Sequence, residues 1–292
     1  MTDVIALLRE LMPASGAASW GRLPYASALS ALSQDVREKV KAIVEHPAGI
    51  IIGAYPYRNG TQMGNLSYYC RGEDYHTAVI RRLETVCERL RQEYPDNVFV
   101  PLADKSPLPE VELARRAGVG IIGLNGLISV ARYGTYVFLG TILTDLFLPG
   151  GASPSKNCGA CRHCMRCCPS GALRLTGGVR TYDLTLCLSG VSQKKGELTD
   201  QEATQLWSTG MIFGCDVCQN CCPMNQNVEP SPLDDLAGRG EVPYLASLTL
   251  EDIEGLTEKT FREKYGRYAF SWRGLSPIRR NLTLGEKKDS GT

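Results

Sequence analysis

Long apolar runs are missing from this chain of 292 residues. The most apolar stretch, Tyr136 to Leu148, is 13 residues long and interrupted by Asp145. A bilayer needs about 20, so the sequence predicts a soluble protein with no membrane partner. An excess of one charge is missing too. The 32 basic and 31 acidic side chains leave a net charge of +1, so any nucleic-acid contact has to come from a local patch rather than a global field. The amino terminus, Met1-Thr2-Asp3, lacks the basic region of a secretory signal. Together with twelve cysteines, that predicts a reducing, cytoplasmic setting in which thiolates serve metals rather than disulfides. The 43% hydrophobic content excludes a disordered chain and can fill the core of one large domain or two modest ones.

Cysteine is what the chain has, and its spacing is informative. Seven of the twelve stand in two runs, Cys158-Cys161-Cys164-Cys168-Pro169 and Cys215-Cys218-Cys222-Pro223, and Cys187 between them completes a set of eight. The first run meets the bacterial ferredoxin spacing C-x2-C-x2-C-x3-C-P at each position. This is the framework of two [4Fe-4S] clusters. Three thiolates two residues apart wrap one cube, and the fourth, turned away by proline, reaches its neighbour. One cluster then takes Cys158, Cys161, Cys164 and Cys222, and the other takes Cys168, Cys187, Cys215 and Cys218. All-cysteine zinc sites use similar CxxC pairs, but zinc has no need for two runs each closed by Cys-Pro. Cys167 and Cys221 exceed the eight and read as small hydrophobes beside the clusters or as alternative ligands. Cys87 lies in an amphipathic helix and reads as core, whereas Cys70 is a weak pocket candidate.

The remaining pattern mixes helices and strands. Asp3 can cap a helix to about Leu11, and Ser27 to Glu45 reads as a second. Gly49 to Ala54 is a continuous apolar run of strand length. Asp74 to Glu93 is amphipathic, Val98 to Leu102 reads as a strand leading into Asp104, and Pro109 to Ala117 as a helix stopped by Gly118. Ile121-Ile122, Leu127 to Val130 and Tyr136 to Thr144 are further strand candidates. Gly118 to Gly123 matches G-x-G-x-x-G, but a helix rather than a strand leads into it, which argues against a dinucleotide site. Pro149 to Pro154 is a linker by composition. Helices are expected to open near Thr249 and Thr257, and the polar tail after Leu284 to fray. His46 and His163 read as a helix-end and a loop histidine, the latter close enough to cluster ligands to tune a potential.

Several stretches outside the cysteine runs together resemble the epoxyqueuosine reductase family, which is cobalamin-dependent and completes queuosine in the tRNA anticodon loop. They are Gly72-Glu73-Asp74-Tyr75-His76, Asp104 with Glu112 to Gly120, Tyr133 to Gly140, Gly214 to Gln219 and Ser271-Trp272-Arg273-Gly274. The likeness covers roughly residues 48 to 283. It implies an α+β protein: an α/β cobalamin- and substrate-binding domain like that of reductive dehalogenases over 1–150, a ferredoxin-like double [4Fe-4S] domain over 151–230, and a helical extension with a polar tail over 231–292. The corrin would sit between the first two. By the same resemblance Asp104 is the proton donor, Tyr75, His76 and Asn125 line the cofactor or substrate pocket, and an external low-potential donor such as flavodoxin or ferredoxin supplies electrons. An acid that holds a proton near pH 7 needs a pKa raised from about 4, so an up-shifted Asp104 is expected. The alternative for Asp104 is a carboxylate capping the helix that begins near Pro107.

The chain also departs from the family pattern. Leu124 stands before Asn125 where the family carries a lysine, and the usual helical-repeat domain that grips tRNA lies beyond the point where this short form stops. Arg273, Arg279, Arg280, Lys287 and Lys288 offer either a phosphate-binding patch or a solvated basic tail. Three functions follow. The first is reduction of epoxyqueuosine in tRNA, the second a corrinoid reductase of a different small substrate, and the third a cobalamin-free electron carrier.

Overall fold

A computed structural model describes residues 3–60, 62–151, 158–159 and 161–289, without the side chains of 285–289. The second half of the expected linker, Ala152-Ser153-Pro154, lies outside these residues. The chain divides into two compact units that are not contiguous in sequence: Met1–Pro56, Tyr75–Gly159 and Asn227–Leu233 form one, and Tyr57–Asp74, Ala160–Gln226 and Asp234–Thr292 the other. Two segments, 57–74 and 227–233, thus cross the divisions that composition suggests.

The first unit is built on one apolar strand. Helix α1 (Val4–Ala14) starts where the Asp3 carboxylate accepts from the Ile5 N–H at 3.0 Å. Strand β1 (Ser19–Pro24) and the short α2 (Tyr25–Ala28) follow. The single helix expected over 27–45 is broken: Leu32 is extended and buried, and the Ser33 hydroxyl accepts from the Val36 N–H to start α3 (Gln34–Ile43). Strand β2 (Gly49–Pro56) is buried along its whole length. Then come α4 (Tyr75–Glu93), β3 (Phe99–Leu102), α5 (Glu110–Arg116), the small pair β4 (Ile121–Ile122) and β5 (Ile128–Ser129), and β6 (Val137–Thr144).

The main sheet has the order β1-β2-β6-β3. All three pairings are antiparallel, so this unit is α+β in construction and corrects the α/β arrangement expected of it. An apolar run such as Gly49 to Ala54 suggests a parallel strand because both its faces are buried. Here helices cover both faces of an antiparallel sheet. Ile50, Ile52 and Ala54 join Val40 of α3 and Leu113 and Ala114 of α5 in one core. On the opposite face Gly53 lies against Met12, and Gly140 against Val79 and Leu83 of α4. Each fully buried aliphatic side chain there contributes about 1.5–3 kcal/mol. Two glycines make this packing possible. A Cβ on Gly21 would stand 2.0 Å from the Ala117 carbonyl oxygen, and one on Gly140 would stand 2.5 Å from Val79 Cγ1.

The second unit has shorter elements. They are α6 (His163–Cys167), the hairpin β7 (Leu173–Thr176) and β8 (Val179–Tyr182), α7 (Leu188–Val191), α8 (Asp200–Trp207) and α9 (Val217–Asn220). After these come α10 (Leu250–Ile253), α11 (Glu258–Tyr265) and α12 (Leu275–Asp289). Phe213, Phe261 and Phe270 are fully buried, with Tyr265 and Tyr268 packed around them. Threonines 249 and 257 cap α10 and α11, as their sequence predicts. The expected frayed tail is instead helical through Asp289. Polar tethers do much of the remaining holding. The buried Arg71 guanidinium donates to the Leu66 and Gln62 carbonyls at 2.6 Å each. From α12, Arg280 reaches the carbonyls of Lys194 and Gly196, and Asn281 those of Ser192 and Ile212.

Candidate functional site

Three elements of the first unit bring the candidate acid to its neighbours. The first turn of α4 presents Tyr75 and His76, the loop after β3 presents Asp104, and β6 presents Phe138. The Tyr75 ring stacks on Phe138 with centroids 4.3 Å apart and planes 8° apart, and on His76 at 4.1 Å. His76 Nε2 lies 3.0 Å from Asp104 Oδ2. A carboxylate only accepts, so Nε2 is the donor whenever Asp104 is ionised. Asp104 itself has φ +56°, a left-handed conformation that is uncommon for a residue with a side chain.

Two expectations for Asp104 change here. It does not cap the next helix, because the Leu108 N–H is met by Ser106 Oγ at 3.0 Å and α5 opens after Pro109 without a side-chain cap. Nor is its pKa raised. The hydrogen bond from His76 holds the carboxyl below the usual aspartate range, outweighing the opposite push of burial. In this unit a raised carboxyl is Glu110, at the start of α5, which burial pushes up to about 8; in the second unit burial also raises Asp216. Asn125, the remaining pocket candidate of this unit, is buried; its Oδ1 accepts from the Leu127 N–H at 3.3 Å, while its Nδ2 is buried with no partner among the described residues. Beside it the Leu124 N–H points at Cys158 Sγ, 3.1 Å away.

In the second unit the thiols fall into two neighbourhoods. Burial pushes Cys215 up to about 12, with Cys187 and Cys168 adding to the push. Cys218 is raised by burial and then by Cys215, Cys187, Cys168 and Cys164. Cys221 rises to about 12 through burial and a hydrogen bond with Cys167, with Cys164 and Cys222 close by. Cys168, Cys187, Cys215 and Cys218 thus act on one another, as do Cys167, Cys221 and Cys222, and Cys164 borders both groups. Cys161 is exposed. Among the described residues no three side chains converge on one point to hold a single metal ion. The excess pair Cys167 and Cys221 touch each other rather than simply filling core.

The arginines read as either a phosphate-binding patch or a solvated tail make contacts within the protein. Arg279 donates to the Leu256 carbonyl, Arg280 is engaged as described above, and Arg273 lies over the Trp272 ring at 3.7 Å. The Lys287 and Lys288 side chains lie outside the described residues.

Comparison with known proteins gives the arrangement its context. Residues 157–225 match the family model for a 4Fe-4S double cluster binding domain, and residues 37–104 the one described as Epoxyqueuosine reductase QueG, DUF1730. An epoxyqueuosine reductase from Listeria monocytogenes is 30% identical over 268 residues, covering 87% of this chain and 69% of its own length. The chain belongs to the epoxyqueuosine reductase family. A solved epoxyqueuosine reductase from Streptococcus thermophilus is similar over 98% of this chain and 81% of its own, with a TM-score of 0.80 and 26% identity. Another, in complex with an epoxyqueuosine-modified tRNA-Tyr stem loop, has a TM-score of 0.78 at 25% identity over 97% of this chain and 81% of its own. The chain spans less than two thirds of some relatives, 65% of the Lactococcus garvieae epoxyqueuosine reductase, to which it is 32% identical over 80% of its own length.

Sequence reasoning on this epoxyqueuosine reductase family member missed Glu110. Its one signal is a carboxylate that follows Pro109 six residues after Asp104, and an acidic first-turn residue is ordinarily read as a solvated partner of the helix dipole.

Proposed function

We propose that this chain reduces epoxyqueuosine in tRNA to queuosine, with two [4Fe-4S] clusters and cobalamin as cofactors and Asp104 as the proton donor. Opening the epoxide and expelling its oxygen as water leaves a cyclopentene and consumes two electrons and two protons. The observation that carries the reading is the His76–Asp104 hydrogen bond at 3.0 Å, set beside the Tyr75–Phe138 stack at the positions where the family places its donor and pocket. The pair holds a proton between an imidazole and a carboxylate, and the exposed carboxylate faces outward with side-chain exposure of 60%. For Asp104 to donate, a protonated His76 must first pass the Nε2 proton that faces Oδ2 to the carboxylate, which then hands a proton on as negative charge builds on the departing oxygen.

The eight thiols at positions 158, 161, 164, 168, 187, 215, 218 and 222 would hold the clusters, in the crossed pairing stated above; the neighbourhoods of Cys168-Cys187-Cys215-Cys218 and of Cys164-Cys222 support it. Asn125, with an unpartnered buried Nδ2, and the rings of Tyr75 and His76 would hold the corrin. When bound, cobalamin supplies a low-valent cobalt able to reduce the epoxide. Electrons would come from an external low-potential donor such as flavodoxin or ferredoxin, in the cytoplasm. Among the described residues no helix is long and apolar enough to cross a membrane.

The test is anaerobic incubation of reconstituted protein with cob(II)alamin, a strong reductant and tRNA carrying epoxyqueuosine, with queuosine as the expected product. Corrin uptake without queuosine would point to a reductase of another small substrate, and failure to take up corrin to an electron carrier. In the same assay Asp104→Asn should keep corrin uptake and lose at least about 100-fold in turnover; undiminished turnover would dismiss Asp104 as the donor.

A further inference from the structure

The net charge of the chain is +1, but its charges are not evenly mixed. No Asp or Glu stands between Asp145 and Asp183, and within the second unit that stretch carries Arg162, Arg166, Arg174 and Arg180. All four arginines are exposed, and none forms a salt bridge among the described residues. Arg174 Nε donates to the Gly171 carbonyl at 2.9 Å, and Arg166 meets His163 Nδ1 at 3.3 Å. Asp183, the first acid after the stretch, is held by the Thr185 N–H and hydroxyl at 3.0 and 2.6 Å, with Arg174 a lesser influence.

Apolar side chains stand among these charges. Val179 is 66% exposed, Leu184 69% and Tyr182 43%, and such a cluster on one strand and the turn after it marks a contact surface. The hairpin that carries them is tied to the cysteines at both ends. The Gly171 N–H donates to the Cys168 carbonyl at 3.2 Å, and the Asp183 N–H closes the hairpin on the Ala172 carbonyl at 2.9 Å. The Leu186 N–H then returns to the Asp183 carbonyl at 3.2 Å, immediately before Cys187. Ala172 and Leu173 are buried and anchor its base, while β8 is exposed throughout. The hairpin thus begins and ends beside two cysteines assigned to one cluster.

We propose that the β7–β8 hairpin is the docking surface for an acidic electron-carrier protein, through which electrons enter the cluster held by Cys168, Cys187, Cys215 and Cys218. This rests on the function proposed above and gives its external donor a place to bind. The arginines attract and orient the carrier's carboxylates from a distance. Val179, Tyr182 and Leu184 supply the dry contact, which a protein surface rewards and a phosphate backbone does not. Each encounter moves one electron and no proton: the anionic flavin hydroquinone of a flavodoxin loses it, and the cluster goes from the 2+ to the 1+ level. Two encounters supply the two electrons that one epoxide consumes.

The experiment mixes the reconstituted protein with a reduced acidic flavodoxin in stopped flow and follows cluster bleaching, with no tRNA present. The wild-type rate should fall about tenfold as salt rises from about 0.01 M to about 1 M and screening shortens the reach of the arginines. At low salt Arg174→Glu/Arg180→Glu should be about tenfold slower than wild type and should bind oxidised flavodoxin more weakly in calorimetry. The same variant should keep its iron and accept electrons from photoreduced deazaflavin as fast as wild type. Arg180→Glu alone, whose side chain makes no hydrogen bond among the described residues, should show a smaller loss of the same kind. Flavodoxin reduction that is independent of salt, or equal in wild type and both variants, overturns the proposal. Equal slowing with deazaflavin overturns it as well, because the arginines would then serve the cluster itself. If the variants lose affinity for tRNA while flavodoxin reduces them undiminished, the hairpin is an RNA surface and the proposal falls. If the flavodoxin results are as expected and no queuosine forms, the proposed function is what fails, and the hairpin stands as the electron entry.

Discussion

The two units hold themselves together by different physics. In the first, β2 is buried along eight residues between layers of helix, so hydrophobic burial alone can pay the entropy of ordering. In the second, the segment carrying the cysteines contains helices of four or five residues at α6, α7 and α9 and a hairpin whose strand β8 is exposed throughout. Such elements are too short to be stable alone. The difference implies that iron is structural for the cysteine segment, whereas the sheet of the first unit does not depend on it.

Removing the iron is the most severe test of that contrast. Chelation under anaerobic conditions should cost the cysteine segment its protection from amide exchange while β2 and β6 stay protected. If both units were to open together, the contrast would be wrong. Replacing Cys187 with alanine is milder: about half of the iron should be lost, because one cube loses a corner, and full iron content would disprove the crossed assignment. Mildest in its reach is Ile52→Ala in the core of the first unit. It should destabilise that unit by about 2–5 kcal/mol in denaturant unfolding and leave the iron content as it was; iron loss at the same denaturant concentration would show the two units to be coupled.

What could be read from the sequence follows the same divide. Strand β2 was visible because an unbroken apolar run has few other uses, and α4 because its apolar positions recur at helical spacing. Strand β1 was not, since one of its two buried positions is Gly21, which has no side chain to mark the alternation. The helix expected over 27–45 divides because Ser33 satisfies an N–H at a point where a local pattern shows only continuity. The cluster cysteines were legible as a spacing, which metals impose directly on sequence, but the hairpin between them was not. At the candidate site the residues were found and the electrostatics were misjudged. Asp104 was expected to be buried and neutral, and the hydrogen bond from His76 reverses that; the raised pKa belongs to Glu110, whose burial depends on a strand more than thirty residues away in sequence.

The interleaving of the units has a practical consequence. The chain passes from one to the other at Pro56, Asp74, Gly159, Gln226 and Leu233, so no single cut yields either part whole. Grafting the second unit onto another scaffold would require three separate pieces of polypeptide to be moved together, and a truncation at Asp74, Gly159 or Gln226 would strip residues from both halves at once.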